Sequence, residues 1–177
     1  AARDDPDRLE FLAETTSALA YRLASPRSVL VLGAGGGLEI LRDRQLGAAR
    51  IDALEVNVQV ARLLSTDYSD YTGQLVDQPG VALHVGEARG FLAANDNRYD
   101  LIQMSLTSGV GGGLSGLAED YLLTVEALQH YYLHLTPNGF LSITRYVQVP
   151  PRDGLKLLAT AIAALRASNV ADPGSRL

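Results

Sequence analysis

The sequence predicts an α/β fold built on a doubly wound, mostly parallel sheet, and three observations carry that prediction. Short apolar runs rich in Val, Ile and Leu alternate with longer amphipathic stretches, the pattern of strands buried on both faces and helices that cover them. The first run, Val29-Leu30-Val31-Leu32, passes at once into Gly33-Ala34-Gly35-Gly36-Gly37, four glycines in five positions. The second, Ile51-Asp52-Ala53-Leu54, ends on Glu55, about 20 residues past the turn, where βαβ nucleotide folds place the acid that takes ribose hydroxyls.

Asp5-Pro6-Asp7 reads as the start of a first helix, with Leu9, Leu12, Ala13, Thr16, Leu19, Ala20 and Leu23 on its apolar face and Ser25-Pro26-Arg27 breaking it. After strand 1 and the glycine turn, a helix runs from Leu38 to about Gln45, ended by Gly47. Strand 2 ends at Glu55, and Val58 to Leu64 is a helix. Tyr68 to Pro79 reads as a solvated connection. Val81 to Val85 is strand 3, Gly90 to about Ala94 a short helix, Asn95-Asp96-Asn97 a turn and Tyr99 to Met104 strand 4. Ser105 to Gly116 is a second glycine-rich stretch, read as either a mobile lid or a plain loop. Tyr121 to His134 is a helix ended by Thr136-Pro137-Asn138-Gly139, Phe140 to Tyr146 is strand 5, and Gly154 to about Ser168 is the last helix.

At 177 residues the chain is one domain by size, residues 1–177 together, with enough apolar content for a substantial core. It contains no cysteine, which excludes disulfides, cysteine metal sites and a thiol nucleophile. The net charge of −5 speaks against a nucleic-acid surface, and no run of about 18 apolar residues exists to span a membrane. Residue 1 is not Met, and Ala171 to Leu177 looks like a connection leading onward, so the chain is read as a domain excised from a longer protein. Two further strands are expected beyond residue 177.

Ligands of such sheets collect at the carboxyl ends of the strands. There the order of elements brings together the turn (Gly33, Ala34, Gly35 and Gly37), Glu55, Gly86-Glu87-Ala88, and Met104-Ser105. The turn sits at a helix N-terminus, where backbone N–H groups and the dipole favour an anion or a polar ligand edge. Glu55 can accept two hydrogen bonds from a ribose diol. Glu87 can take the exocyclic amine of an adenine, and the Ala88 N–H can donate to a ring nitrogen, with Val56 and Met104 sandwiching the base. Glu87 also has the plainer reading of an acid favoured by a helix dipole.

The cofactor class follows from the spacing. A dinucleotide fingerprint wants glycine at position 38, and this chain has Leu38; the G-x-G-x-G of Gly33, Gly35 and Gly37 suits S-adenosyl compounds better than NAD. His130 and His134 lie four apart on one helix, but no third ligand accompanies them, and no metal site is expected.

Five blocks together resemble the spermidine synthase (polyamine aminopropyltransferase) family: Val29–Gly37, Glu55-Val56-Asn57, Gly86-Glu87-Ala88-Arg89-Gly90-Phe91-Leu92, Arg98-Tyr99-Asp100-Leu101-Ile102 and Leu135-Thr136-Pro137-Asn138-Gly139-Phe140-Leu141. The resemblance implies the Rossmann-like class I S-adenosylmethionine methyltransferase fold. It also implies S-adenosylmethionine or its decarboxylated form as ligand, with the glycine turn and Glu55 on the ribose and thioether region and Glu87 and Ala88 on the adenine. A dimer is common in that family. The acid that acts on the attacking amine in active members falls on Ser105 here, and a second falls on Ser108; serine is neither a base nor a counter-charge for a cationic polyamine.

Thr15-Thr16-Ser17-Ala18-Leu19, the stretch Glu119 to Ala127, and Ile143-Thr144-Arg145 leading to Pro150-Pro151-Arg152 are similar to a branch joined to multi-spanning membrane segments. That likeness implies a cytoplasmic domain of a membrane protein. Two functions follow. One is a methyl- or aminopropyltransferase-like enzyme with an acceptor unlike a polyamine, with Ser105, Glu119 and Tyr121 as its catalytic candidates. The other is a non-catalytic domain that binds an adenosyl ligand or scaffolds the membrane portion.

Overall fold

The computed structural model describes residues 6–105, 121–146 and 149–177. Its sheet has five parallel strands in the order β3-β2-β1-β4-β5. They are β1 (Ser28–Leu32), β2 (Arg50–Glu55), β3 (Val81–Val85), β4 (Tyr99–Ser105) and β5 (Leu135–Thr144). The helices are α1 (Leu19–Leu23), α2 (Leu38–Gln45), α3 (Val58–Arg62), α4 (Ser69–Thr72), α5 (Ala88–Ala93), α6 (Val125–Leu133) and α7 (Arg152–Ala167). This is the expected doubly wound α/β architecture. No helix among the described residues is long and apolar enough to cross a membrane.

Alternation along each strand divides the core into two layers. Val29, Val31, Ile51, Ala53 and Leu101 pack beneath Ile40 of α2, with Ala20, Leu64 and Leu75. Leu30, Leu32, Leu54, Ile102 and Met104 pack on the other face against Leu92 of α5, Leu128 and Tyr131 of α6 and Ala164 of α7. The chain reverses its strand order between β1 and β4. The crevice outside those two strand ends is where doubly wound sheets bind ligands.

Four elements differ from the sequence reading. The first helix is helical in the α sense only over Leu19–Leu23; Pro6–Glu14 and Thr16–Ala18 are tighter 3-10 turns. The reason is local: the Thr15 hydroxyl donates to the Leu12 carbonyl at 2.8 Å, and hydroxyl side chains compete with the α-helical bonding pattern. The connection after α3 is more than solvated loop. It forms α4 and a further turn at Leu75–Asp77, and Leu75 is buried.

The Thr136–Gly139 turn is absorbed into β5. Tyr99 pairs with Leu135 while Leu101 pairs with Phe140, so the extra residues form an irregularity inside the ladder. Gly139 fits there because a Cβ would stand 2.7 Å from the Tyr99 carbonyl oxygen. Asp100 staples the same place, accepting from the Arg27 and Ser28 N–H groups and from the Thr136 hydroxyl, each at 3.0 Å. Correspondingly α6 begins later than expected, at Val125, where the Thr124 hydroxyl accepts from the Ala127 N–H at 3.2 Å.

Candidate functional site

The turn after β1 is fixed by main-chain bonds before any ligand is considered. The N–H groups of Gly33 and Ala34 both donate to the Leu54 carbonyl, at 3.0 and 2.7 Å, and Gly37 N–H donates to the Ala34 carbonyl at 2.8 Å. Gly35 and Gly37 have φ of +49° and +86°, a region that side chains with a Cβ rarely adopt. At Gly37 packing adds to this: a Cβ would meet Leu75 Cδ2 at 2.8 Å and Leu64 Cδ1 at 3.0 Å. At Gly35 and Gly36 a Cβ would meet nothing within 4 Å, so the outer edge of the turn is open.

Glu55 ties the strand ends together. Its carboxylate is buried at 8 % exposure and accepts the Gly35 N–H on Oε2 and the Asn57 N–H on Oε1, both at 2.9 Å. Its own carbonyl accepts the Gly86 N–H at 3.0 Å. One residue therefore holds the loops that follow β1, β2 and β3. Asn57 passes the constraint on, capping α3 by accepting from Gln59 N–H at 2.9 Å. Each carboxylate oxygen keeps a second lone pair, so the acid can accept ligand hydroxyls while it holds the turn.

Around this centre the expected contact residues divide. Val56 is well exposed beside Glu55 and free to lie against a flat group. Glu87 is exposed, with Oε1 3.6 Å from Arg89 Nε, and Ala88 opens α5, where the first N–H groups have no intrahelical partner. Met104 is 1 % exposed and belongs to the core layer under α5 and α6, so its side chain offers no surface to a base in this arrangement. Its position follows from the alternation of β4, which turns residues 102 and 104 inward on that face.

Ser105 ends β4 opposite Thr144, and its Oγ is buried without a hydrogen-bond partner among the described residues. Tyr121 is exposed, and the Arg89 guanidinium stands 6.0 Å from its ring centroid, so Arg89 joins Tyr121 to Glu87. Glu119 and the second glycine-rich stretch beyond Ser105 lie outside the described residues.

Sequence reasoning passed over a buried polar cluster directly beneath the turn. Arg42, 1 % exposed, reaches Asp43 Oδ1 at 2.9 Å, Gln103 Oε1 at 2.6 Å, and also Ser17 Oγ and Glu39 Oε2. Gln103 Nε2 donates to Asp43 Oδ2, and Ser17 Oγ donates to Glu39 Oε1 at 3.3 Å. Burial, partly offset by Arg42, pushes the Asp43 carboxyl up to about 7, and burial likewise raises the Tyr21 hydroxyl beside it. The signal was present: Gln103 is polar in an otherwise apolar strand, and Glu39 and Arg42 stand three apart on a helix that must bury one face.

Two other polar features serve the fold. Asp52 accepts from Tyr99 Oη at 3.0 Å and Arg50 at 2.7 Å and faces His84 Nε2 at 2.9 Å. His134 lies between the His130 and Asn95 carbonyls, at 2.8 and 3.2 Å. Among the described residues no group of three or more His, Cys, Asp or Glu side chains is placed to hold a metal. A groove of about 390 Å³ opens between α3 and β3, lined by Val58, Ala61, Val76, Leu83 and Val85 among others, but neither the turn nor Glu55 lines it.

With this geometry in view, the chain has the class I S-adenosylmethionine methyltransferase fold. Solved structures with the same arrangement include a spermidine synthase in complex with the transition state analogue AdoDATO (TM-score 0.58, 17 % identity, covering 92 % of this chain and 50 % of that one). Spermidine synthase from Thermotoga maritima is similar at a TM-score of 0.59 and 17 % identity, over 88 % of this chain and 50 % of that one. Human methyltransferase-like protein 13 in complex with SAH is similar at 0.56 and 21 % identity, over 86 % and 72 %. The chain thus spans half the length of the two spermidine synthases. No protein-family model matches it.

Proposed function

We propose that residues 1–177 form one domain that binds S-adenosylmethionine or its decarboxylated form and transfers a group from the sulfonium to an acceptor other than a polyamine. The observation that carries the reading is Glu55: a buried carboxylate that braces the open glycine turn and still has lone pairs for a ribose diol. A turn that served only to join strand and helix would need neither the acid nor the open backbone at Gly35 and Gly36. The bound sulfonium is itself a good leaving group. The chain's own contribution is then to position the two reactants, a contribution that reaches several kcal/mol in well-oriented reactions, roughly 7–11 at the upper end.

Ser105 and Tyr121 are the acceptor-side candidates; Glu119, the third catalytic candidate, lies outside the described residues. Tyr121, linked through Arg89 to Glu87, stands on the approach to the adenine end of the site, and Ser105 at the β4 end, where the chain reverses its strand order. A cytoplasmic setting, with membrane-spanning segments elsewhere in a longer protein and a possible pairing into dimers, belongs to the same reading.

A second reading has its own support. Ser105 holds a buried hydroxyl, without a partner among the described residues, where transfer to an amine wants an acid, which favours a domain that binds the adenosyl ligand without reacting it. Incubation of the purified chain with S-adenosylmethionine, its decarboxylated form and a panel of small nucleophiles separates the two. Release of the thioether product in step with a modified acceptor supports transfer. Ligand binding with no turnover supports the binding-only reading.

A further inference from the structure

The cluster beneath the glycine turn has an unusual charge count: two carboxylates, the partly buried Glu39 and the fully buried Asp43, share one buried guanidinium, Arg42. Glu39 lies in the first turn of α2, immediately after Gly37, and Asp43 one turn further, about 6 Å along the axis. Gln103 lies two residues before Ser105 on β4 and on the same face. The cluster therefore borders both walls of the crevice, with Asp43 roughly 9 Å along the helix axis from Gly37.

Among the described side chains no second cation pairs with it. Among the described side chains, the N-terminal segment brings Ser17 to Arg42 and Glu39 and the Tyr21 hydroxyl to Asp43, and β4 adds the neutral Gln103. On this face β1 and β2 present Val29, Val31, Ile51 and Ala53. Glu10 is exposed to water, and Glu14 is paired with Arg22.

We propose that Asp43, with Glu39 and Arg42, is a specificity-determining charge: when both carboxylates are ionised, the cluster is net negative and favours a sulfonium ligand over the corresponding thioether. This rests on the S-adenosyl reading above and adds to it a means of exchanging product for substrate. Because Asp43 takes up its proton near neutrality, the preference is set by pH.

The test is a calorimetric titration of the purified chain with S-adenosylmethionine and S-adenosylhomocysteine at pH 5.5 and 8.5. The two ligands share their amino and carboxyl groups, so the ratio of their affinities isolates the sulfonium charge. The expected result is a preference for the sulfonium that grows roughly fivefold from the lower to the higher pH, the size of one charge acting at about 10 Å through a partly polar medium. In Asp43→Asn the ratio stays at its low-pH value. Should that variant fail to fold, Glu39→Gln removes a charge from a more accessible position and lowers the ratio at pH 8.5. Binding of both ligands with a pH-independent ratio overturns the inference and leaves the S-adenosyl reading intact. Binding of neither overturns both.

Discussion

The carboxylate of Glu55 holds the backbone N–H of Gly35, twenty residues earlier in the chain, at 2.9 Å. This bond makes the end of β2 responsible for the shape of the turn after β1. Replacing Glu55 by Ala removes two charge-assisted hydrogen bonds and is expected to cost about 2–4 kcal/mol of stability. Affinity for an adenosyl ligand should fall roughly 100-fold, since ribose contacts and turn geometry are lost together. Glu55→Gln, which keeps one acceptor, should fall between the two. Urea denaturation and calorimetry read the two effects separately.

Neighbouring glycines of the turn should respond differently to the same change. Gly37→Ala introduces a methyl at φ +86° against Leu75 and Leu64 and is expected to cost about 1–3 kcal/mol. Gly36→Ala meets open space, and its stability should stay within about 1 kcal/mol of the parent. Its ligand affinity should nevertheless drop, because the methyl occupies the face a ligand must approach. Thermal unfolding with and without S-adenosylhomocysteine distinguishes them.

Asp43 sets one pH dependence of stability. Its carboxyl is raised from 3.8 in the unfolded chain to about 7 in the folded one, chiefly by burial. The folded state then holds a proton that the unfolded state has released. Asp43 therefore contributes its full stability below about pH 4 and loses it as pH rises through 7. The midpoint of urea unfolding should fall between pH 5 and pH 8 in the parent, and the fall should be smaller in Asp43→Asn.

Asp100 acts with the opposite sign. Against the burial that would raise it, the N–H groups of Arg27 and Ser28 and the Thr136 hydroxyl hold its carboxyl below the usual 3.8. Its contribution is present above that value and lost as pH falls through the lowered one. Asp100→Ala should cost about 1–3 kcal/mol at neutral pH and loosen the Thr136–Gly139 irregularity of β5. Hydrogen exchange at the Arg27 and Ser28 amides reports it.

The strands were legible because alternation and β-branched runs are local signals, and the turn with Glu55 was legible because its spacing is dictated by one βαβ unit. What escaped was tertiary. Leu75 closing over Gly37 and Thr136–Gly139 being drawn into β5 both depend on partners distant in sequence, whereas Thr15 diverts the first helix through a bond to Leu12 that the apolar pattern does not register. At the candidate site, Met104 reads as a wall of the base pocket because it lies at the carboxyl end of strand 4. The pleat instead turns it into the core. The Arg42 cluster was missed because charges on a helix are usually solvated, and only the packing of Gln103 and Ser17 against it makes this set buried.

The measurement that bears most directly on the central claim is a calorimetric titration of the purified chain with S-adenosylmethionine, its decarboxylated form, methylthioadenosine and NAD, with Glu55→Ala in parallel. The account predicts saturable binding of an S-adenosyl compound in preference to NAD, abolished or sharply weakened in the variant while the fold survives. Binding of NAD alone, or of no nucleoside by a folded sample, would contradict it.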